Sequence, residues 1–319
     1  MKTIAYNPLT WEAQGDIGGK ILAIAPGYQL LDLSQKLEDA SLAQCEILFG
    51  NVTPDVVNKM TSLKWVHAQT AGVDMYLNEA VNLPERVLLT NSTGAFGIPI
   101  GEYMLTTTLM LLRHMPFYMA QQKAHIWEWG ATATNMYGRK VAVVGLGDIG
   151  GRYAYLCHMM GAQVTGVVRT KRDTMPDYVQ EIYTTADIQT AIKDADIIAL
   201  AMPGTSETEG LMSKALLATA KKGAIIVNVG RGNAIDQDGL IALLQSGHLG
   251  GAALDVTTPE PLPEDSPLWD MPNVVITPHM SHGGRGNTGA FICDKFLRYL
   301  QDYVNGRPFE KVIDRRVGY

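Results

Sequence analysis

Short apolar runs alternate with helical stretches through the second half of this chain, and this alternation limits its fold more than any other feature. The runs are rich in Val, Ile and Ala and lie at Val141–Val144, Gln163–Val168, Ile197–Met202, Ala224–Val229, Ala252–Val256 and Val274–Thr277. Continuous apolar runs are typical of strands that are buried on both faces. We therefore predict an α/β architecture, a doubly wound parallel sheet with helices on both faces.

A second set of apolar runs lies in the first hundred residues. Strands are predicted at Ile21–Ala25, Glu46–Phe49, Trp65–Ala68 and Val87–Leu89. A helix is predicted from Thr53 to Ser62, because Thr is a favoured N-cap residue and proline suits the first helical turn. This region is expected to be a further α/β unit without a phosphate loop.

Two long helices are predicted outside these strands. Ile98–Leu112 is nearly all apolar with Glu102 as its only charge, and we expect Pro116 to bend or stop it. The segment is too short to span a bilayer and suits a helix buried between domains or subunits. The last helix, about Gly289–Val304, carries one apolar stripe and ends at a glycine C-cap. We expect it to return to the first unit, which would make that domain discontinuous.

The charge and length of the chain restrict its partners. It has 319 residues, enough for two domains, with a net charge of -6. Because there is no basic excess, neither nucleic acid nor an anionic membrane is expected as a partner. No run approaches the roughly 18 apolar residues of a membrane span, and the N-terminus lacks a signal-peptide stretch. A soluble, unprocessed protein is expected.

The cysteines indicate a reducing compartment. Cys45, Cys157 and Cys293 are odd in number, widely separated and flanked by apolar residues. Such spacing favours neither a disulfide framework nor a zinc site, so we expect buried free thiols and no metal. A cytoplasmic protein is predicted.

The stretch Gly145-Leu146-Gly147-Asp148-Ile149-Gly150 fits the pattern G-x-G-x-x-G. Here an apolar run ends at the first glycine and a helical pattern starts after the second, which strengthens an otherwise weak motif. The glycines would allow a tight turn, close approach of the backbone to a pyrophosphate, and tight helix packing. We predict a dinucleotide site at this helix N-terminus, and a glycine-rich turn without a ligand is the alternative.

Polar residues follow four consecutive predicted strands. The residues after or at these strand ends are Pro203 and Thr205, Gly230-Arg231-Gly232, Asp255, and Pro278-His279, among which Thr205, Arg231, Asp255 and His279 have polar side chains. Because ligands of open parallel sheets bind outside the carboxyl ends of the strands, these groups are expected in one crevice.

Three side chains near these strand ends suit chemistry on an acid. Arg231, flanked by glycines, has room for a planar bidentate carboxylate, with a structural salt bridge as the alternative. His279 suits proton transfer while a carbonyl is reduced or an alcohol oxidised, with a capping histidine as the alternative. Glu260, on the proline-rich stretch TTPEPLP, could hydrogen-bond the far imidazole nitrogen and fix its tautomer.

At these residues the sequence resembles the D-isomer-specific 2-hydroxyacid dehydrogenase family, over most of the chain. Five blocks occur in the family's order: VAVVGLGDIG, AMPGTSETEGLMS, VNVGRG, ALDVTTPEPLP and SPLWDMPNVVITPHMS. The resemblance implies a Rossmann cofactor domain, residues 99–285, inserted into a flavodoxin-like substrate (catalytic) domain, residues 1–98 and 286–319. It also implies an active site in the interdomain cleft and a homodimer.

The resemblance implies a role for each site residue. Arg231 would bind the substrate carboxylate, Glu260 would support the histidine, and His279 would be the acid/base. The stretch VHAQTAGVD is similar to the family's substrate loop, so substrate would contact Ala71, Gly72 and Val73 as well as Arg231 and His279. The implied cofactor contacts are Gly145, Leu146, Gly147, Asp148, Ile149, Arg169, Thr170, Lys171, Arg172, Ala201, Met202, Pro203, Thr208, Val229, Gly230, Arg231, Asp255 and His279, with Asp255 orienting the nicotinamide amide.

One place departs from the family's common pattern. Many NAD-using members have an Asp at the end of the second cofactor-domain strand, whereas this chain has Val168-Arg169-Thr170-Lys171-Arg172. The cations would attract the 2′-phosphate of NADP(H), which an acid would repel. We predict a preference for NADPH, with NAD(H) as a possible second cofactor; solvated loop cations are the alternative.

The function implied is a 2-ketoacid reductase, an oxidoreductase that acts on the CH–OH group of D-2-hydroxy acids. The family's hydride passes between the nicotinamide and C2 of a 2-oxo acid while His279 protonates the oxygen. His282 is a second imidazole near the cleft, ranked behind His279. A non-catalytic dinucleotide-sensing protein on the same scaffold is the alternative function, and the identity of the 2-oxo acid stays open.

Overall fold

The computed structural model describes residues 2–7, 16–35, 38–130, 132–171, 174–283 and 288–318. The chain forms two compact units, Met1–Phe96 with Gly284–Tyr319, and Gly97–Gly283. These limits lie close to the domain boundaries predicted from the sequence. The assignment of one domain to substrate and the other to cofactor stays a prediction.

The first unit is built on a parallel sheet of five strands in the order β2-β1-β3-β4-β5, which is the flavodoxin-like order. Its strands are β1 Lys2–Tyr6, β2 Tyr28–Asp32, β3 Cys45–Phe49, β4 Trp65–Ala68 and β5 Leu88–Asn91. Its helices are α1 Ile17–Ile24, α2 Asp39–Ala43, α3 Pro54–Lys59 and α10 Thr288–Val304. Three of the four predicted strands and the helix after Thr53 are confirmed.

The predicted strand at Ile21–Ala25 is wrong, since these residues largely belong to helix α1. The Asp16 carboxylate caps this helix by accepting a hydrogen bond from the Gly19 N–H at 2.7 Å. A short apolar run fits either a helix or a strand, and the cap decides between them. The strands β1 and β2 were not predicted.

The C-terminal helix α10 packs on the sheet of the first unit, as the sequence predicted. Phe296 stacks on Phe49 with ring centroids 4.0 Å apart, and Trp65 stacks on the same phenylalanine. Ile292, Phe296 and Leu300 are fully buried. The last turn of the helix leaves this core, because Val304 is exposed.

The second unit contains a parallel sheet of seven strands in the order β12-β11-β10-β9-β6-β7-β8. The strands are β6 Lys140–Val144, β7 Gln163–Val168, β8 Glu181–Thr184, β9 Ile197–Leu200, β10 Ala224–Asn228, β11 Leu249–Leu254 and β12 Val274–Ile276. The order reverses between β6 and β9, as in the doubly wound Rossmann arrangement. All six predicted strands are confirmed, and β8 is an addition.

The helices of the second unit lie between these strands or precede them. They are α4 Gly97–Leu112, α5 Met115–Ala124, α6 Asp148–Met159, α7 Ile188–Ile192, α8 Lys214–Leu217 and α9 Gln237–Gln245. Helix α4 stops at Leu112, before Pro116, as expected, and Pro116 itself lies in the first turn of α5, where a missing N–H does no harm. Among the described residues, no helix is both long and apolar enough to span a membrane.

Candidate active site

The glycine-rich loop after β6 has the backbone geometry that a dinucleotide requires. Gly145 has φ +96°, and a Cβ there would lie 2.8 Å from the Ala201 carbonyl oxygen. A Cβ at Gly150 would collide with the Gly145 carbonyl, so this glycine permits close packing of α6 on the strand. A Cβ at Gly147 would meet no atom within 4 Å. The space beside Gly147, at the N-terminus of α6, is thus open, as close approach of a pyrophosphate would require.

The side chains of this loop serve mainly to hold it in place. Leu146 is buried and packs where Gly166 has no side chain. The Asp148 carboxylate accepts a hydrogen bond from the Gly97 N–H at 3.0 Å, which ties the start of α6 to the start of α4. The phosphate-facing groups of this loop would therefore come from the backbone.

The predicted cation cluster follows directly after β7. Arg169, Thr170 and Lys171 are exposed, and Arg172 lies outside the described residues. The Gly145 N–H donates to the Val167 carbonyl oxygen at 2.8 Å, so the end of β7 adjoins the glycine-rich loop. Arg169 Nη1 lies 3.9 Å from Glu207 Oε2, a long separation for an ion pair between two exposed side chains. Such a pair between exposed side chains contributes little to stability.

A buried asparagine holds the turn that carries Arg231. The Asn228 amide donates to the Arg231 carbonyl oxygen and accepts from the Gly230 N–H, both at 3.0 Å. The sequence suggested that the flanking glycines, Gly230 and Gly232, leave room around the Arg231 guanidinium. The structure gives a different reason for them. Cβ atoms there would strike the carbonyl oxygens of Met202 and Thr257, so the glycines allow close backbone packing.

Glu260 contacts His279, as the sequence predicted. His279 Nδ1 lies 2.9 Å from Glu260 Oε2, and the other carboxylate oxygen accepts from the Thr257 N–H at 3.2 Å. Because an ionised carboxylate only accepts hydrogen bonds, Nδ1 carries the proton of this contact. The ring is therefore oriented so that Nε2 is the nitrogen that does not face Glu260. The histidine chosen by this contact is His279, the first-ranked candidate, rather than His282.

The backbone at His279 is unusual. Its φ is +51°, in the left-handed region that residues other than glycine seldom occupy. The His279 N–H donates to the carbonyl oxygens of Asp255 and Thr277, at 2.8 and 3.0 Å. Such a conformation costs of order 1–3 kcal/mol and persists because surrounding contacts hold it.

Asp255 is a structural anchor for the segment that carries His279. The side chain is buried, and its two oxygens accept from the Met280 N–H at 2.8 Å and the Ser281 N–H at 3.0 Å. Thr277 Oγ1 donates to it at 2.6 Å. A contact of Asp255 with the nicotinamide amide stays a prediction.

The predicted substrate loop, in the first unit, has a defined backbone orientation. The carbonyl oxygens of Thr70, Ala71 and Gly72 accept from the Ser92 N–H, the Asn91 amide and the Thr70 hydroxyl. In a planar trans peptide the following N–H points opposite to the carbonyl. The N–H groups of Ala71, Gly72 and Val73 therefore point away from these partners, as binding of a carboxylate would require. That role remains predicted.

Several residues that shape the site were missed by the sequence analysis. The turns that carry Arg231 and His279 are held by Asn228, Thr277 and Tyr103. Thr208, which was predicted as a cofactor contact, donates a hydrogen bond to the Pro203 carbonyl oxygen at 2.8 Å and so closes its own loop. Asn228 could have been found as the only polar residue of the run AIIVN. Tyr103 lies on a distant helix and gives no such signal.

Comparison with known proteins agrees with this geometry. Residues 105–281 match the family described as D-isomer specific 2-hydroxyacid dehydrogenase, NAD binding domain. The chain belongs to this family. Both the predicted resemblance and the doubly wound cofactor fold are thereby confirmed, and the chain is an NAD(P)-dependent oxidoreductase acting on the CH–OH group of D-2-hydroxy acids.

Relatives and solved structures of the D-2-hydroxyacid dehydrogenase family align over nearly the whole chain. Glyoxylate/hydroxypyruvate reductase B of Klebsiella pneumoniae is 30% identical over 290 residues, covering 87% of each chain. A family protein from Aeromonas salmonicida is 30% identical with a TM-score of 0.84, covering 98% of this chain and 99% of that one. The NADPH-dependent glyoxylate/hydroxypyruvate reductase of Sinorhizobium meliloti, solved with NADP and sulfate, is 27% identical with a TM-score of 0.83, covering 100% and 99%.

Proposed function

We propose that this protein is an NADPH-preferring reductase that converts a small 2-oxo acid into the D-2-hydroxy acid. The observation that carries the proposal is the Glu260–His279 contact at the carboxyl edge of the sheet that also carries the glycine-rich loop. The carboxyl ends of the strands in this one sheet thus carry both the imidazole–carboxylate pair and the glycine-rich loop, as a reductase would require.

Each site residue has a task that its chemistry suits. Arg231 would bind the substrate carboxylate and polarise the neighbouring carbonyl. His279 would donate the Nε2 proton to the carbonyl oxygen, while Glu260 keeps the ring oriented through Nδ1. The nicotinamide, when bound, supplies the hydride that C2 receives. The products are the D-2-hydroxy acid, the oxidised nicotinamide and a neutral His279.

The loop residues Gly145, Gly147 and Ile149 would hold the cofactor through their backbone. The open space at Gly147 supports this assignment, since a side chain there would be tolerated by the fold alone. Gly147→Ala should therefore leave folding unchanged and raise KM for NADPH, whereas Gly150→Ala should impair folding itself. Equal effects of the two substitutions on folding would contradict the assignment.

Arg169, Thr170, Lys171 and Arg172 support a preference for NADPH over NADH. They follow the strand that adjoins the glycine-rich loop, and the Sinorhizobium meliloti reductase was solved with NADP. Arg169→Asp should lower the ratio of kcat/KM with NADPH to that with NADH by about tenfold or more. Lys222→Asp is the matched control, because it makes the same charge change before β10, at the opposite edge of the sheet. Equal or better kcat/KM of the unmodified enzyme with NADH would overturn the preference.

The substrate is proposed to be glyoxylate or hydroxypyruvate, the acids named for the Klebsiella pneumoniae and Sinorhizobium meliloti reductases. The test is oxidation of NADPH with a panel of 2-oxo acids that runs from glyoxylate to bulky aliphatic and aromatic members. The highest kcat/KM should belong to the two small acids. A maximum at a bulky acid would reassign the substrate, and tight NADPH binding without turnover would indicate a dinucleotide sensor instead.

An exposed apolar face on the second unit supports a homodimer. Trp127 and Trp129 are 99% and 98% exposed, and they border a groove of about 1030 Å³ with Met115, Tyr118 and Ile126. Exposed aromatic patches of this kind mark protein interfaces. Trp127→Ser with Trp129→Ser should convert a dimer into monomers in analytical ultracentrifugation, whereas Trp269→Ser should not. A wild-type monomer at micromolar concentration would refute the dimer.

A cytoplasmic location is supported by the three cysteines, all of which are buried and free. Burial raises the pKa of the Cys45 and Cys293 thiols to about 11 and that of Cys157 to about 12. Thiols that stay protonated react slowly. None of the three cysteines forms a disulfide, which is typical of proteins from a reducing compartment. Cell fractionation with a periplasmic and a cytoplasmic marker tests the location.

A further inference from the structure

A chain of hydroxyl groups leads from helix α4 to the segment that carries His279. Tyr103 Oη lies 2.6 Å from Thr277 Oγ1, which lies 2.6 Å from Asp255 Oδ1. The Asp255 carboxylate accepts from the N–H groups of Met280 and Ser281, which directly follow His279. All members of this chain lie within the second unit.

The Asp255 carboxylate determines which atom donates in each hydrogen bond of this series. Because the carboxylate of Asp255 only accepts, the single Thr277 hydroxyl proton points to Asp255. The Thr277 oxygen can then only accept from Tyr103, so the tyrosine is the donor. With its oxygen bonded at both sides, Thr277 cannot turn without breaking one of two short hydrogen bonds.

We propose that Tyr103 is a positioning residue for His279 and acts through Thr277 and Asp255. The Tyr103 hydroxyl fixes the orientation of the Thr277 hydroxyl, which in turn fixes the Asp255 carboxylate by a hydrogen bond. The carboxylate and backbone carbonyl of Asp255 accept hydrogen bonds from the N–H groups of residues 279–281, which hold His279 at positive φ. The consequence is a fixed imidazole within reach of Glu260. This inference rests on the proposed role of His279 as the proton donor.

The protonation of Tyr103 agrees with this role. Burial raises the pKa of Tyr103 to about 12, with a smaller lowering by the Thr277 hydrogen bond and a still smaller raising by the Asp255 charge. The phenol therefore remains a donor over the whole range in which the enzyme would work. Tyr103 contacts no reacting atom in this scheme and transfers no proton.

Tyr103→Phe tests the proposal by removing a single oxygen atom. We expect kcat to fall about tenfold to a hundredfold, with KM for the 2-oxo acid within about twofold of the original, because the substitution disturbs the position of His279 and leaves the proposed carboxylate-binding groups in place. The matched control is Tyr153→Phe. Tyr153 Oη bonds the hydroxyl of Thr108 on the same helix α4 at 2.8 Å, but this pair is not joined to Asp255.

The control should retain kcat even if its melting temperature falls as far as that of Tyr103→Phe. Thr277→Ser, which retains the hydroxyl, should restore most activity relative to Thr277→Val. The double variant Tyr103→Phe/Thr277→Val should be no slower than Thr277→Val alone, since both interrupt one chain. Equal kcat losses in Tyr103→Phe and Tyr153→Phe, or none in either, would overturn the proposal.

A readout without turnover separates this inference from the proposed function. The Nδ1 proton resonance of His279, in protein labelled with ¹⁵N-histidine, reports its bond to Glu260. It should broaden or move in Tyr103→Phe and stay unchanged in Tyr153→Phe. If His279→Gln retained kcat, the proposed function would fail while this resonance still tested the positioning. If His279→Gln lost kcat but Tyr103→Phe changed neither kcat nor the resonance, only the positioning role would fail.

Discussion

Two histidines at the carboxyl ends of parallel strands have opposite surroundings. His67 is the third residue of β4 in the first unit, and it is fully buried. Its ring nitrogens face Thr90 Oγ1 at 2.7 Å and Ser92 Oγ at 3.2 Å. His279 follows β12 in the second unit, its side chain is 48% exposed, and its partner is a carboxylate.

The partners of each ring decide what it can do. Burial, with a smaller contribution from the Lys295 charge, lowers the pKa of His67 to about 3, so this ring stays neutral. Its two hydroxyl partners, both fully buried, satisfy a neutral imidazole, which makes His67 part of the core. The His279 side chain is about half exposed, and its Nδ1 is held by Glu260. The same residue type at similar strand ends is thus structural in one unit and suited to chemistry in the other.

Replacing each of the two histidines by glutamine should give the largest effects, on kcat at His279 and on stability at His67. His279→Gln should lower kcat by about 10²- to 10⁴-fold, the usual contribution of a general acid, with the melting temperature nearly unchanged. His67→Gln should lower the free energy of unfolding by about 2 kcal/mol or more while kcat of the folded enzyme falls less than about tenfold. Steady-state kinetics and urea unfolding on both variants provide the comparison. A large kcat loss in His67→Gln with intact stability would erase the distinction.

A smaller effect should follow when only the partner of His279 is changed. Glu260→Gln retains the size of the side chain but removes its charge, so kcat should fall about tenfold to a hundredfold while the protein remains folded. Glu264→Gln is the matched control, because this carboxylate lies on the same loop and is exposed. If the two variants had equal kcat, the Glu260 contact would be structural, like the hydroxyl contacts of His67.

The positions of the polar residues at strand ends could be predicted from the sequence, because the ends of buried parallel strands can be recognised in it. Buried parallel strands appear as apolar runs, and the carboxyl-edge rule then brings Arg231, Glu260 and His279 to one edge without knowledge of their contacts. The contact of Glu260 with His279 followed from chemistry alone. The equally polar His67 was not marked as a site, and the structure explains its polarity by the hydroxyls of Thr90 and Ser92.

The contacts that hold these residues could not be predicted, because they depend on tertiary structure. The Asp255 carboxylate binds backbone N–H groups, which every residue has, so the sequence does not mark its partners Met280 and Ser281. Tyr103 reaches Thr277 from a helix far away in the chain. The strand wrongly predicted at Ile21–Ala25 has a different origin, since the deciding contact, the cap that Asp16 forms with the Gly19 N–H, is local in sequence.

The smallest effect concerns pH and isolates the buried ring. His67 has a folded pKa of about 3 against a model-peptide value of 6.5, so below pH 6.5 the unfolded chain binds a proton that the folded protein refuses. Its contribution to stability is therefore complete above the unfolded pKa and declines as pH falls, by about 1.4 kcal/mol for each pH unit below about 6. His67→Gln lacks this proton, so the difference in unfolding free energy between wild type and variant should narrow from pH 7 to pH 5. Urea unfolding at both pH values measures it, and groups common to the two proteins cancel. If the difference in unfolding free energy were the same at both pH values, His67 would be protonated in the folded protein. The two histidines would then differ only in how exposed their side chains are.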